Sequence, residues 1–264
     1  MNHPLDITSL TKTFPTSEGP FTAVRDFNLK IAQGEFVCLL GHSGCGKSTV
    51  LAILAGLQCA TEGGYCIDGK EENEPGTNRG VVFQSPSLLP WLSALENVSL
   101  AVAQVSGKSR SERNKLAAKY LDLIGVSDSR DQLPAELSLG TQQRVAIARA
   151  LSLEPKYLLL DEPFGMLDSL TRFDLQDTLL QVWEKDRKTV VMVTHDVDEA
   201  LYLADRIVLM TDGPEARVGE ILTVPFDRPR DRATVLKHPA YYRLRAGVVN
   251  FLENHARQSA TKAH

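Results

Sequence analysis

The sequence predicts an α/β fold: a parallel sheet with helices on both faces and a helical block inserted into it. Three observations predict this. Short apolar runs end in turn or acidic residues, as in "EFVCLLG", "KYLLLDEP" and "TVVMVTH", and runs of this length fit strands buried on both faces of a parallel sheet. Those runs alternate with stretches of helical spacing, Leu170 to Lys185 among them, which is the pattern of strand–helix–strand units. Between Trp91 and Ala150 the chain is rich in Ala, Leu, Lys and Glu and carries few strand signals.

Taken in order, "FTAVRDFNLKI" alternates apolar and polar residues as a strand does and stops at Gln33-Gly34. "EFVCLLG" is the first buried strand, ending at Gly41. "KSTVLAILAGL" has helical spacing and closes at Gly56, since glycine ends helices readily. "GGYCIDG" and "GVVFQ" read as strands between turns. Helices fill the stretch to Ala150. Then follow the strand "KYLLLDEP", a helix, the strand "TVVMVTH", the helical "DVDEALYLA" and the strand-like "RIVLM". From about Glu253 the residues are polar and are expected to fray. The chain reads as one domain, with a core at about 5–90 and 153–222, a helical subdomain at about 91–152 and a tail over 223–264.

Composition narrows the function classes. The 264 residues are 43% hydrophobic and 23% charged, and the net charge is −4. That balance suits a globular domain and leaves no basic field to draw nucleic acid. No apolar run approaches the ~20 residues that span a bilayer, and "MNHPLDITSL" has no secretory character. Cys38, Cys45, Cys59 and Cys66 form no C-x-x-C pair and no histidines cluster near them. Reduced thiols are expected, not a zinc site or a disulfide framework.

"GHSGCGKST", Gly41 to Thr49, matches G-x-x-x-x-G-K-[ST] in full, with a strand before it and a helix after it. Gly41, Gly44 and Gly46 let the backbone fold round an anion with its N–H groups inward. His42, Ser43, Cys45 and Thr49 complete the loop. Lys47 can reach the β- and γ-phosphates, Ser48 offers a hydroxyl to Mg²⁺, and the helix N-terminus adds partial positive charge. Cys45 reads as a small packing residue more than as a redox thiol.

"YLLLDEP" ends in two acids at a strand's C-terminal edge, where α/β sheets bind ligands. Asp161 is placed to hold Mg²⁺ through water, and Glu162 to orient or deprotonate an attacking water. His195 follows "TVVMVT" in the same way and suits a polar contact with the γ-phosphate. Gln84 ends "GVVFQ" and suits Mg²⁺ and water. In "LSLGTQQR", Leu137 to Arg144, Ser138 can cap a helix whose first N–H groups then face an anion.

In this order the motifs resemble those of the ATP-binding-cassette (ABC) ATPases, over roughly Leu5 to Met210. The resemblance implies a P-loop, RecA-like parallel core with an antiparallel β edge and the helical insertion, hydrolysing ATP with Mg²⁺. It implies that Phe14 stacks on adenine, Gln84 is the Q-loop, Asp168 the D-loop and His195 the switch histidine. Ser138, Leu139, Gly140, Thr141 and Gln142 would be the signature facing ATP held by a second subunit, in a homodimer or heterodimer. The usual pattern is L-S-G-G-Q; here Leu139 replaces a glycine and Thr141 the glutamine, and leucine resists φ > 0.

"SPSLLPWLSALENV", Ser85 to Val98, gathers Leu88, Leu89, Pro90 and Trp91. In the family this region meets a membrane permease subunit, and an apolar patch suits that contact. "PFDRPRDR" and "HPAYYRLR" resemble the tails of nitrate/nitrite/cyanate importer ATPases, with sulfonate and taurine importers as looser matches. Asp227 and Asp231 interrupt the tail's basic run, so a solvated or subunit-contacting turn is expected there. A peripheral subunit on the cytoplasmic face of the inner membrane follows, with a periplasmic or lipid-anchored solute-binding protein and no nucleic acid. Soluble ABC ATPases of DNA repair or translation carry a coiled-coil insertion or a second cassette, and this sequence has neither.

Overall fold

The structure is a computed structural model that describes residues 4–262, with side chains described as far as His255. In chain order its elements are β1 (Leu5–Thr16), β2 (Gly19–Ile31), β3 (Phe36–Leu40), α1 (Lys47–Leu54), β4 (Glu62–Ile67), β5 (Lys70–Glu71), β6 (Arg79–Val82), α2 (Ala94–Val105), α3 (Arg110–Leu123), α4 (Leu139–Leu151), β7 (Tyr157–Asp161), α5 (Ser169–Lys185), β8 (Thr189–Thr194), α6 (Val197–Leu203), β9 (Arg206–Met210), β10 (Val218–Thr223), α7 (Arg232–Lys237) and α8 (Tyr241–Lys262). The chain divides into two compact units, Met1–Gly76 with Thr189–His264, and Thr77–Lys188. The second unit therefore holds more than the helical block: β6, β7 and α5 belong to it.

In the first unit β3 lies between β8 and β9 and is parallel to both, and β10 is antiparallel to β9. Every residue of β3 and of β8 is buried. Strands covered on both faces have no reason to alternate, which is why "FVCLL" and "TVVMVT" are continuously apolar. A separate antiparallel sheet has the order β2-β1-β4-β5. Along β2, Phe27, Leu29 and Ile31 are buried while Asn28 and Lys30 are exposed, the two-residue period of a half-buried strand.

β1 and β10 were not legible from spacing. In β1 the pairing with β2 shifts register between Ile7 and Leu10 and again twice before Thr13. Each shift breaks the period of two on which strand recognition depends. β10 is an edge strand with every residue at least partly exposed, so it has no apolar face to read. The polar residues from Glu253, expected to fray, continue α8 to Lys262.

In the second unit β6 and β7 are a parallel pair, with Gly80 opposite Leu158. Helices α2, α3 and α4 pack on one another. Ser93 and Ser109 start α2 and α3 through capping boxes with Glu96 and Glu112, which satisfies amides that a helix start otherwise leaves open. Among the described residues no helix is long and apolar enough to cross a membrane.

Candidate functional site

The first unit carries the phosphate loop, between β3 and α1. Gly46 has φ 91°, and a Cβ there would lie 2.6 Å from a Val24 methyl. Both the left-handed backbone and the close approach require glycine. No side chain caps α1, so its N-terminal dipole is turned to whatever the loop holds. Lys47 is 4% exposed; its Nζ donates to the carbonyls of Gly41 and His42, each at 2.8 Å. The ammonium is thereby held inside the curl of backbone. Ser43, Gly44 and Ser48 are exposed, and His42 and Thr49 are half-buried. Cys45 is buried, and burial raises its thiol above the ordinary value although the Lys47 ammonium opposes the shift. That favours the packing role over a redox one.

Two other predicted residues lie in this unit. Phe14 is half-buried on β1, opposite Phe21 of β2, with Lys12 Nζ 5.0 Å from its ring centre. His195 is exposed, one residue past β8. Asp196 N donates to Thr194 Oγ1 at 3.0 Å across it.

The second unit carries the acids. Asp161 is the last residue of β7. Glu162 has φ 45°, a left-handed conformation costing a non-glycine residue about 1–3 kcal/mol and typical of functional sites. It is held by the turn that follows: Gly165 N donates to Glu162 O at 3.1 Å, and Phe164 is fully buried. Gln84 Nε2 donates to Glu162 Oε2 at 3.4 Å, so these two predicted residues do meet. Helix α4 fixes the backbone around Gln84. Gln143 donates to Phe83 O at 3.1 Å, and Arg149 donates to Ser87 O at 2.8 Å and Pro86 O at 3.0 Å. Neither was singled out from sequence, because a helical Gln or Arg looks the same whether it faces solvent or a loop carbonyl.

The signature stretch starts α4. Ser138 is the N-cap, its Oγ accepting from Thr141 N at 3.1 Å and lying 2.8 Å from Thr141 Oγ1. Leu139 is the first helical residue, 37% exposed, with an ordinary negative φ. The strain that leucine would meet at φ > 0 does not arise. Gln142 turns inward, its amide donating to Pro134 O and Leu137 O at 3.0 and 3.1 Å. Gly140 is buried, and a Cβ there would lie 2.5 Å from Thr171 Cγ2. Asp168 caps α5, accepting from Leu170 N and Thr171 N at 3.1 Å. The Thr171 bonds hold its carboxyl below the usual value. Thr171 thus joins Asp168 to Gly140.

The loop after Gln84 is pinned by Asn97, 2% exposed, which accepts from Leu89 N and donates to the Leu89, Leu92 and Ser93 carbonyls. Trp91 is left 70% exposed, with Phe83 and Leu100 also outward. A groove of about 540 Å³ runs beside it, lined by Leu95, Leu100, Arg113 and Asn114 among others.

The ABC transporter family profile matches residues 24–165, which spans the phosphate loop, Gln84, the signature stretch and both acids. The chain belongs to the ABC transporter family, as an ATP-binding subunit. It is 51% identical over 251 residues to the bicarbonate transport ATP-binding protein CmpD of Synechocystis sp., covering 95% of this chain and 89% of that protein. It is 52% identical over 242 residues to the nitrate import ATP-binding protein NrtD of Synechococcus elongatus, covering 91% and 88%. Among solved structures, a dimeric ATP-binding cassette in a post-hydrolysis state with ADP and Pi is 37% identical, with a TM-score of 0.75 over 84% of this chain and all of that one.

In this ABC transporter ATPase the tail is only partly the solvated turn that was one of the two expectations. In "DRPR" Asp227 and Pro229 are exposed, but both arginines turn inward. Arg230 has a side-chain exposure of 1% and donates to the carbonyls of Tyr202 and Ala204, each at 2.8 Å. Arg228 donates to Leu203 O at 2.7 Å and pairs with Asp205 at 2.8 Å. Partners so far back in the chain left no local signal.

Proposed function

We propose that this chain is the ATP-hydrolysing subunit of an ABC importer for a small oxyanion, with nitrate as the first reading. The observation that carries hydrolysis is the phosphate loop: an uncapped helix start and a Lys47 ammonium held inside the loop make a site for condensed phosphates. Similarity to a nitrate import protein supports the substrate. Nearly equal similarity to a bicarbonate transport protein makes bicarbonate the second reading. Labelled nitrate and bicarbonate uptake in cells lacking this chain, then restored with it, separates the two.

Lys47 and the loop amides bind the phosphates, and Phe14 stacks on the adenine. Glu162, oriented by Gln84 and its turn, takes the proton of the attacking water, and His195 contacts the transferring phosphoryl group. Ser48, Gln84 and Asp161 are the oxygen donors that would hold Mg²⁺. They fit a small hard cation that is bound by few protein ligands and by phosphate, which would neutralise charge on the phosphoryl oxygens. Ser138, Leu139, Gly140, Thr141 and the helix they start face ATP on a second cassette, identical or different, and Asp168 supports that face through Thr171. The inward amide of Gln142 buttresses the stretch.

The chain works as one cassette, with its core at about 5–90 and 153–222, the helical subdomain at about 91–152 and the tail over 223–264. Trp91 and the exposed residues beside it meet the permease. The subunit sits at the cytoplasmic face of the membrane, with a solute-binding protein on the other side.

Glu162→Gln is expected to keep ATP binding, cut turnover by ~10²–10⁴ and trap an ATP-bound dimer. Near-normal hydrolysis in that variant removes Glu162 from the mechanism.

A further inference from the structure

Helix α6 is the element that follows His195, and it is gripped at both ends by the tail. At its C-terminal end the carbonyls of Tyr202, Leu203 and Ala204 accept from Arg228 and Arg230. Positive charge at a helix C-terminus also complements its dipole. Arg232 lies 4.0 Å over the Tyr202 ring. Near the N-terminal end, Asp198 Oδ1 accepts from Tyr241 Oη and from Arg245 Nε, both at 2.7 Å. Tyr241 and Arg245 stand on the first turns of α8.

The start of α6 is tied in turn to His195. Asp196 caps the helix through Asp198 N and Glu199 N, and its own N–H closes the turn over His195 onto Thr194. Farther along α8, Leu252 O accepts from His42 Nε2 at 2.9 Å, and His42 belongs to the phosphate loop. Tyr241 and Leu252 are eleven residues apart, about 16 Å of helix at 1.5 Å per residue. One continuous helix therefore touches both the segment that carries His195 and the loop that carries Lys47.

We infer that α8, with the "DRPR" turn before it, is a strut that sets the position of His195 against the phosphate loop. In this reading Arg230, Tyr241 and Arg245 are positioning residues for ATP hydrolysis. The inference rests on the assignment of His195 to hydrolysis made above. The bonds differ in weight. The Asp198–Arg245 pair is about half exposed, and such pairs contribute little alone. Arg230 is enclosed, and its guanidinium donates to two carbonyls at once.

The test uses the full-length chain and three readouts: turnover, ATP dissociation constant and thermal midpoint. Tyr241→Phe combined with Arg245→Ala frees Asp198 without opening the core. Small displacements of a reacting group are costly, so turnover is expected to fall about 5- to 20-fold, with the ATP dissociation constant within about twofold of wild type. Arg245→Lys in the Tyr241→Phe background restores part of the loss. Arg230→Lys lowers turnover in the same direction, and if it unfolds the protein the double variant carries the test alone. In a His195→Ala background the double variant is expected to cause no further loss, because non-additivity marks groups that act through one another.

Unchanged turnover in the double variant overturns the strut, as does a parallel loss of ATP binding and thermal midpoint, or a full additional loss in the His195→Ala background. Wild-type turnover in His195→Ala alone overturns the histidine assignment, and the strut with it.

Discussion

The two helix starts proposed to serve nucleotide are built in opposite ways. Helix α1 begins at Gly46 in a left-handed conformation with no side-chain cap. Helix α4 begins at Ser138, whose hydroxyl caps Thr141 N. The uncapped start comes with a buried cation, Lys47, set among carbonyls. The capped start has no acidic residue in its first turn and no lysine, and its glycine is pressed against Thr171 instead. A site that must grip phosphate by itself needs free donors and a charge. A site that completes another subunit's pocket needs a rigid, smooth surface, and a capped helix with a buried glycine provides that.

Five substitutions break or sharpen this contrast. Lys47→Ala is expected to have the largest effect on nucleotide binding. A charge-assisted hydrogen bond is worth about 1.5–3 kcal/mol, so ATP affinity measured by titration should fall roughly ten- to a hundredfold or more. Wild-type affinity would remove the loop from the binding site.

Gly140→Asp comes next. The new Cβ must displace the Thr171 methyl before any charge is considered. Turnover should be abolished, while ATP binding to the isolated subunit changes little. Gly140→Ala separates the causes: an intermediate loss assigns part of the effect to the contact with Thr171, and full activity assigns all of it to the aspartate charge.

Ser138→Ala removes a cap worth about 0.5–2 kcal/mol. It should lower the thermal midpoint by a few degrees, whereas no comparable cap exists at α1 to remove. Leu139→Gly has the smallest expected effect, a modest change in ATPase rate. Leu139 already has an ordinary helical backbone, so glycine relieves no strain there and only adds flexibility to the first turn. A large gain in rate would show that the leucine obstructs the partner's nucleotide.

Sequence legibility followed distance along the chain. The phosphate loop, the Asp161-Glu162 pair and the Ser138 cap each lie within a few consecutive residues, where strand, turn and helix signals are local. Residues 9–14 defeated the same reading, because register shifts scramble the alternation of β1. Gln143 and Arg149 hold carbonyls about sixty residues away, and nothing near them in sequence distinguishes them from other helical polar residues.

The sequence by itself determined the kind of fold, and it singled out the residues proposed for phosphate chemistry. Each of these is a matter of residue type at fixed short spacing: glycines where φ is positive, a lysine after the last glycine, acids at a strand's end. Only the tertiary structure decided the backbone of Leu139, the buried contact of Gly140 with Thr171 and the role of the tail. Arg230 bonds to carbonyls 26 and 28 residues earlier, and His42 to one 210 residues later. Whether an arginine meets solvent or two distant carbonyls depends on packing between distant segments, and no local pattern encodes that.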